Sequence, residues 1–334
     1  MNDSIENQLT LWGAIVMAVS GFLWIMPGFN FLAAVGSIAS MTIVINRLGI
    51  NRALILSIGG ILISLFIGVV VAVITSDVSY AITNPIFYLV IGVAPGMLMG
   101  LSSRKLVSPI RAIINGMIPL LLLIFALAIS IRFLVGFQAI IDGMEGYFLT
   151  EIQKNPALLS AIAQAYNLEP NSPEILTKIS GLIVDFFRIL PGIMTVAFMG
   201  LVVVSYWFAG AISGKLNLVF NPLRPFYLWK ASDWWLYPTI LGLALVIFVK
   251  ENLYFYLGIN LMIVTGHVYA VAGLSLIEAW LKRFSIPLVF RIILYILILL
   301  TNFLGLVFIA CLGLIDTKIN FKREILEEDD VNLE

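Results

Sequence analysis

Residues 51–75 read NRALILSIGGILISLFIGVVVAVIT, and after Arg52 the remaining 23 positions carry no charge. As a helix those positions extend about 34 Å, enough to cross a hydrocarbon core of about 30 Å. Lipid offers no partner to backbone N–H and C=O groups, so a stretch of this kind must bond within itself as a helix. Working outward, similar apolar runs occupy 10–26, 29–46, 83–101, 110–135, 189–211, 235–249, 254–280 and 287–314. The last is longer than one span requires and is interrupted by Asn302 and Gly305, which predicts a broken or re-entrant helix. The whole chain is 61% hydrophobic and 11% charged, against about a quarter charged in water-soluble domains. No alternating barrel strands are evident, and the expected fold is an all-α polytopic transmembrane bundle of eight or nine spans.

The charges are balanced, 19 basic against 19 acidic, yet unevenly placed. Arg47 and Arg52, then Arg104, Lys105 and Arg111, then Lys215, Arg224 and Lys230, then Lys282, Arg283 and Arg291 fall in alternate connections. The positive-inside rule makes these connections cytoplasmic and sets the N-terminus there too. Four segments follow: a five-span bundle over 1–135, an outer loop over 136–188, a three- or four-span bundle over 189–314, and an acidic tail over 315–334. In the loop, YFLTEIQKNPALLSAIAQAY (147–166) and SPEILTKISGLIVDFFRIL (172–190) carry apolar residues at helical spacing, which predicts two amphipathic helices lying on the outer face. Nine crossings put the tail outside, although Lys318, Lys322 and Arg323 follow the last run; either the tail is outside or one segment does not cross.

Cys311 is the only cysteine and His267 the only histidine, which excludes an intrachain disulfide, a cysteine metal cluster and a multi-histidine site. No metal or cofactor is expected. Neither H-E-x-x-H nor a phosphate-binding glycine loop occurs, and no nucleophile is paired with a base in the spans, so the chain does not read as an enzyme. Nucleic acid is not an expected partner. The opening MNDSIENQL has no basic region of the signal-peptide type, and the first run reads as a retained span.

Asn260, His267 and Glu278 are separated by 7 and 11 residues and share one helical stripe. Polar residues in a span face the bundle interior or a cavity, so Asn260 and His267, with Arg132 and Asn115 on the fifth run, form the candidate set for a small-molecule ligand. The plainer alternatives are a packing histidine, a headgroup-level Glu278 beside Trp280 and Lys282, and an Arg132 that snorkels to the interface. Gly92, Gly96 and Gly100 recur every fourth residue, as do Ala14 and Ala18, the spacing that lets helices approach closely. In NPLRPFYLWKASDWWLYP (221–238), Trp229, Trp234 and Trp235 fit an aromatic belt at the membrane surface.

The stretches RPFYLWKASDWWLYPTILGLAL (224–245), NLMIVTGHVYAVAGLSLIEAWLKRFSIP (260–287) and LGLIDTKINFKRE (312–324), with LPGIM (190–194), resemble the YybS-like family of bacterial membrane proteins. Lys318 and Asn320 stand where that pattern more usually has aromatic and acidic residues. The resemblance extends, at a distance, to the substrate-binding S components of energy-coupling-factor transporters and to the rod-shape protein MreD. It implies a multi-pass protein of the bacterial inner membrane that captures a small molecule and needs a coupling subunit, docked at Ala14 and Ala18. The alternative it implies is a non-transporting scaffold of envelope assembly.

Overall fold

A computed structural model describes residues 3–24, 26, 28–130, 137–169, 172–250, 253–300, 302–319 and 321. Every regular element among them is helical. In order they are α1 (Asp3–Leu23), α2 (Asn30–Leu48), α3 (Ile50–Thr75), α4 (Ser79–Phe87), a π-helical turn (Tyr88–Val93) and α5 (Ala94–Arg104). There follow α6 (Pro109–Ser130), α7 (Phe137–Gln153), α8 (Pro156–Ala165), α9 (Pro173–Lys215), α10 (Leu236–Phe248), α11 (Leu253–Arg283), α12 (Leu288–Leu300) and α13 (Asn302–Ile319). Six stretches of the described residues are long and apolar enough to cross a membrane: Asn30–Leu48, Ile50–Thr75, Ser79–Arg104, Pro109–Leu127, Glu174–Lys215 and Leu253–Arg283. Shorter apolar helices, Asp233–Phe248 and Leu288–Ile298, lie where two further spans are expected.

Two boundaries differ from the sequence expectation. The helix expected over 147–166 is divided, because Asn155 caps α8 by accepting a bond from the Leu158 amide (3.2 Å) and Pro156 takes the first helical position, where its missing N–H costs nothing. The second amphipathic helix and the span at 189–211 are one continuous helix, α9, with Pro191 inside it. Over the run at 287–314 the described residues form α12 and the greater part of α13.

The chain forms two compact units, 1–123 with 197–225 and 124–196 with 226–334. In the first, α2 is the central helix, with Ile38, Met41 and Ile45 fully buried. Small residues set its neighbours' distance. A methyl on Gly96 would lie 2.6 Å from the Ile38 carbonyl oxygen, one on Gly100 3.0 Å from that of Thr42, and one on Gly21 of α1 2.6 Å from that of Gly60 on α3. Gly92 meets the Ser37 hydroxyl in the same way. With no side chain, Gly21, Gly96 and Gly100 let backbone pack on backbone, the close approach that holds helices together where lipid removes the hydrophobic drive.

One end of this unit is basic. Arg52 pairs with Glu6 at 3.1 Å, which brings the start of α3 to the start of α1. Gly49 turns α2 into α3 with φ +87°, and a methyl there would lie 2.8 Å from Arg104 Nη1 at the end of α5. Leu218 and Phe220, just past Lys215 at the end of α9, pack with Leu9 and Leu48. Arg47, Arg52, Arg104 and Lys215 therefore gather at the N-terminal end of α1.

In the second unit α10 and α11 form a hairpin closed by Gly242 against Gly258. Gly273 faces Ile309 and Gly313 faces Tyr269, so α13 runs antiparallel to the later half of α11. Leu159, Ala163, Ile175 and Ile179 join α8 to the start of α9 in a core of their own.

Gly96→Val is expected to destabilise the protein by about 1–3 kcal/mol, the cost of overpacking a filled contact. Gly59→Val, where nothing lies within 4 Å, is the control. Thermal unfolding in detergent should separate them by several degrees.

Candidate functional site

Asn260 is held in place by the chemistry of a proline inside a helix. Pro191 has no amide proton and its ring crowds the preceding turn, which weakens α9 there. Asn260 on α11 accepts a bond from the Gly192 amide at Oδ1 (2.5 Å) and donates from Nδ2 to the Arg188 carbonyl (2.8 Å). Arg188 C=O and Gly192 N–H are the pair that an unbroken helix would join; the carboxamide spans them. Its second N–H goes to the Tyr256 carbonyl at 2.7 Å. A methyl on Gly192 would lie 2.7 Å from Asn260 Oδ1, so glycine is required for the two helices to meet. One turn away, Tyr256 donates to Asp185 (2.5 Å) and accepts from Arg188 (3.0 Å), whose guanidinium lies 4.7 Å from the tyrosine ring centre.

The other sequence candidates sit apart from this arrangement. His267 lies two turns beyond Asn260 on α11, half-buried, with no hydrogen-bond partner among the described residues. Asn115 belongs to the first unit, where its amide donates to the Ser102 hydroxyl (2.7 Å) and ties α6 to α5. Arg132 lies outside the described residues. Ala14 and Ala18 are half-buried on α1, beside exposed Leu11, Ile15 and Val19.

Glu278, at the far end of the stripe, is the centre of a second cluster. Arg291 Nη1 donates to its Oε1 at 2.9 Å and the Tyr295 hydroxyl to its Oε2 at 2.6 Å, while Arg291 Nε donates to the Ile286 carbonyl at 2.7 Å. Arg291 and Tyr295 are one turn apart on α12, the only polar side chains in an otherwise apolar helix; that spacing was present in the sequence, but the partner it faces was not. Lys282, one turn beyond Glu278, lies with Nζ 3.7 Å from the Tyr227 ring centre. Phe226, Tyr227, Glu278, Lys282, Leu288, Arg291 and Tyr295 together line an open cleft of about 260 Å³. A second open cleft, about 500 Å³, lies along Glu174, Lys178 and Asp185 on α9.

The aromatic connector follows α11. The Ser275 hydroxyl lies 2.6 Å from the Phe226 carbonyl oxygen and 2.8 Å from that of Trp229, and shares its one proton between them. Trp229 stacks edge-on with Phe226 and is half-buried, Trp235 packs against Ala231, Tyr269 and Ala272, and Trp234 is exposed beside Tyr237. Lys318 at the end of α13 pairs with Asp233 of the same connector at 3.4 Å. The end of α13 therefore reaches the connector.

Residues 14–317 match the model of a predicted membrane protein family, DUF2232. No curated protein matches the chain, and no solved structure does.

Asn260→Leu keeps the volume but removes the side-chain partner of the Gly192 amide and the Arg188 carbonyl, and should cost about 1–3 kcal/mol. Hydrogen exchange at residues 188–192 should accelerate in this variant and stay unchanged in His267→Leu.

Proposed function

We propose, since this chain belongs to the predicted membrane protein family DUF2232, that it acts as a non-transporting scaffold within the bilayer, of the kind the MreD resemblance implies. The observation that carries this reading is the engagement of Asn260, whose carboxamide oxygen and both N–H groups are bonded to backbone. A residue that orients a ligand needs a donor or acceptor directed into a pocket. Neither described cleft includes Asn260, His267 or Asn115. In the first unit, glycine contacts bring helices to backbone distance, which fills the space a captured molecule would occupy.

The docking face in this reading is the outer side of α1. Leu11, Trp12, Ile15, Val19 and Phe22 are exposed there, with Ala14 and Ala18 half-buried alongside. Its occupant is a transmembrane helix of a separate membrane protein, approaching over the two alanines. The S-component reading shares this face, since the alanine spacing is what favours it, but it also requires a ligand chamber. The orientation we propose places the basic end of the first unit, with Arg47, Arg104 and Lys215, on the cytoplasmic side of a bacterial inner membrane.

Two experiments test these statements. Ala14→Leu with Ala18→Leu should abolish crosslinking from Ile15→Cys to a second membrane protein while leaving thermal stability unchanged; undiminished crosslinking overturns the docking face. Mass spectrometry of the purified protein should find no stoichiometric metabolite, and finding one returns the capture reading to first place. For orientation, cysteines at 104 and 215 in a Cys311→Ser background should react with a membrane-impermeant maleimide only after permeabilisation. Labelling in intact cells reverses the assignment.

A further inference from the structure

We propose that the cleft between α11 and α12 is a binding site for a singly charged phosphate group, of the phosphodiester type carried by an anionic phospholipid, with Lys282 and Arg291 as its recognising cations. The charges decide the sign. Glu278 is already engaged, its charge paired by Arg291 at one oxygen and its other oxygen hydrogen-bonded by Tyr295, and both members of this ion pair are largely buried, with side chains 17% and 14% exposed. Counting Lys282 and Arg291 against Glu278 leaves one net positive charge on the cleft.

That charge has donors available. Lys282 has no carboxylate partner among the described residues; its ammonium rests on the face of Tyr227, which holds it at the cleft wall with its N–H groups free to donate. Arg291 uses its Nε and one Nη1 proton on Ile286 and Glu278. A guanidinium carries five N–H donors, and the rest of the fork remains for a second oxyanion. Two cations, one a fork and one a point charge, form a site for phosphate oxygens.

The surroundings select an amphiphile. At about 260 Å³ the cleft is open and smaller than the usual pocket for a soluble ligand, which is roughly 300–1,000 Å³. Its rim is α12, whose Leu288, Val289, Phe290, Ile293, Ile296 and Leu297 are exposed while Arg291 and Tyr295 turn inward. A helix that presents apolar residues outward and its only cation inward offers a surface for acyl chains beside a seat for a headgroup. Basic pockets of this construction recognise anionic headgroups at membrane surfaces. Phe226, Tyr227 and Tyr295 supply the aromatic lining common at the same level.

The test uses the full chain purified in neutral detergent, with phosphatidylglycerol, phosphatidylcholine or inorganic phosphate added, read by native mass spectrometry and thermal shift. Phosphatidylglycerol is expected to remain bound and to raise Tm, phosphatidylcholine to do neither. Lys282→Glu should weaken phosphatidylglycerol binding about tenfold or more, from the loss and reversal of one surface charge; Tyr227→Leu should weaken it less. Neither variant breaks the Glu278–Arg291 pair, so both should fold, and an unchanged Tm without lipid checks this. Inorganic phosphate giving the same Lys282-dependent shift supports the anion site and identifies a soluble phosphate as its source. Equal retention of the two lipids, or undiminished binding by Lys282→Glu, overturns the proposal. The result is independent of whether α1 docks a partner.

Discussion

The constraint behind most of this structure is that a bilayer leaves backbone polar groups no partner outside the protein. Continuous helix answers it almost everywhere, and the places where helix is interrupted show what else is needed. At Pro191 the chain keeps one helix through a residue that cannot donate, and the Asn260 carboxamide takes up the adjoining Gly192 amide and Arg188 carbonyl. Gly192 is the matching requirement, since any side chain there would occupy the space of the carboxamide. A proline, a glycine and an asparagine separated by some 68 residues of sequence thus form one structural device.

The same constraint sorts the remaining polar side chains by task. In the first unit several serines and threonines turn their hydroxyls back onto their own helices, as Thr42 does to Ile38 and Ser205 to Leu201, both within 2.8 Å. That frees the glycines to set helix separation. In the second unit charged groups meet α11 at its two ends: Asp185 and Arg188 with Tyr256 at its start, Glu278 and Lys282 with α12 at its end. Polar groups that look like a ligand-binding stripe when read along α11 alone are divided between these two ends once the neighbouring helices are in place.

The functional reading follows from that division. A bundle whose Asn260 carboxamide is engaged with backbone, and whose helices meet at glycine distance, has surfaces to offer more than chambers. Its outer face on α1 and the cationic cleft under α12 are of different character, one apolar with small residues and the other charged with an apolar rim. They suit a protein neighbour and a lipid neighbour respectively, and neither depends on the other.

How much of this was legible in the sequence depends on the range of the interaction. The apolar run at 51–75, the glycine repeat at 92, 96 and 100, and the basic turns at 47, 52 and 104 are local patterns, and they determined that the chain is helical, lipid-soluble and tightly packed. Pro191 is visible in the sequence, but that Asn260 of α11 bonds the backbone on either side of it is not. Glu278 reads as a headgroup-level residue; the turn after Arg283 decides that Arg291 and Tyr295 face it. Likewise only packing brings Lys318, at the end of α13, to Asp233 of the connector. Composition and periodicity fix what each helix must bury, because those depend on the solvent alone. Which polar group meets which is a matter of distances between segments remote in sequence, and tertiary packing alone supplies them.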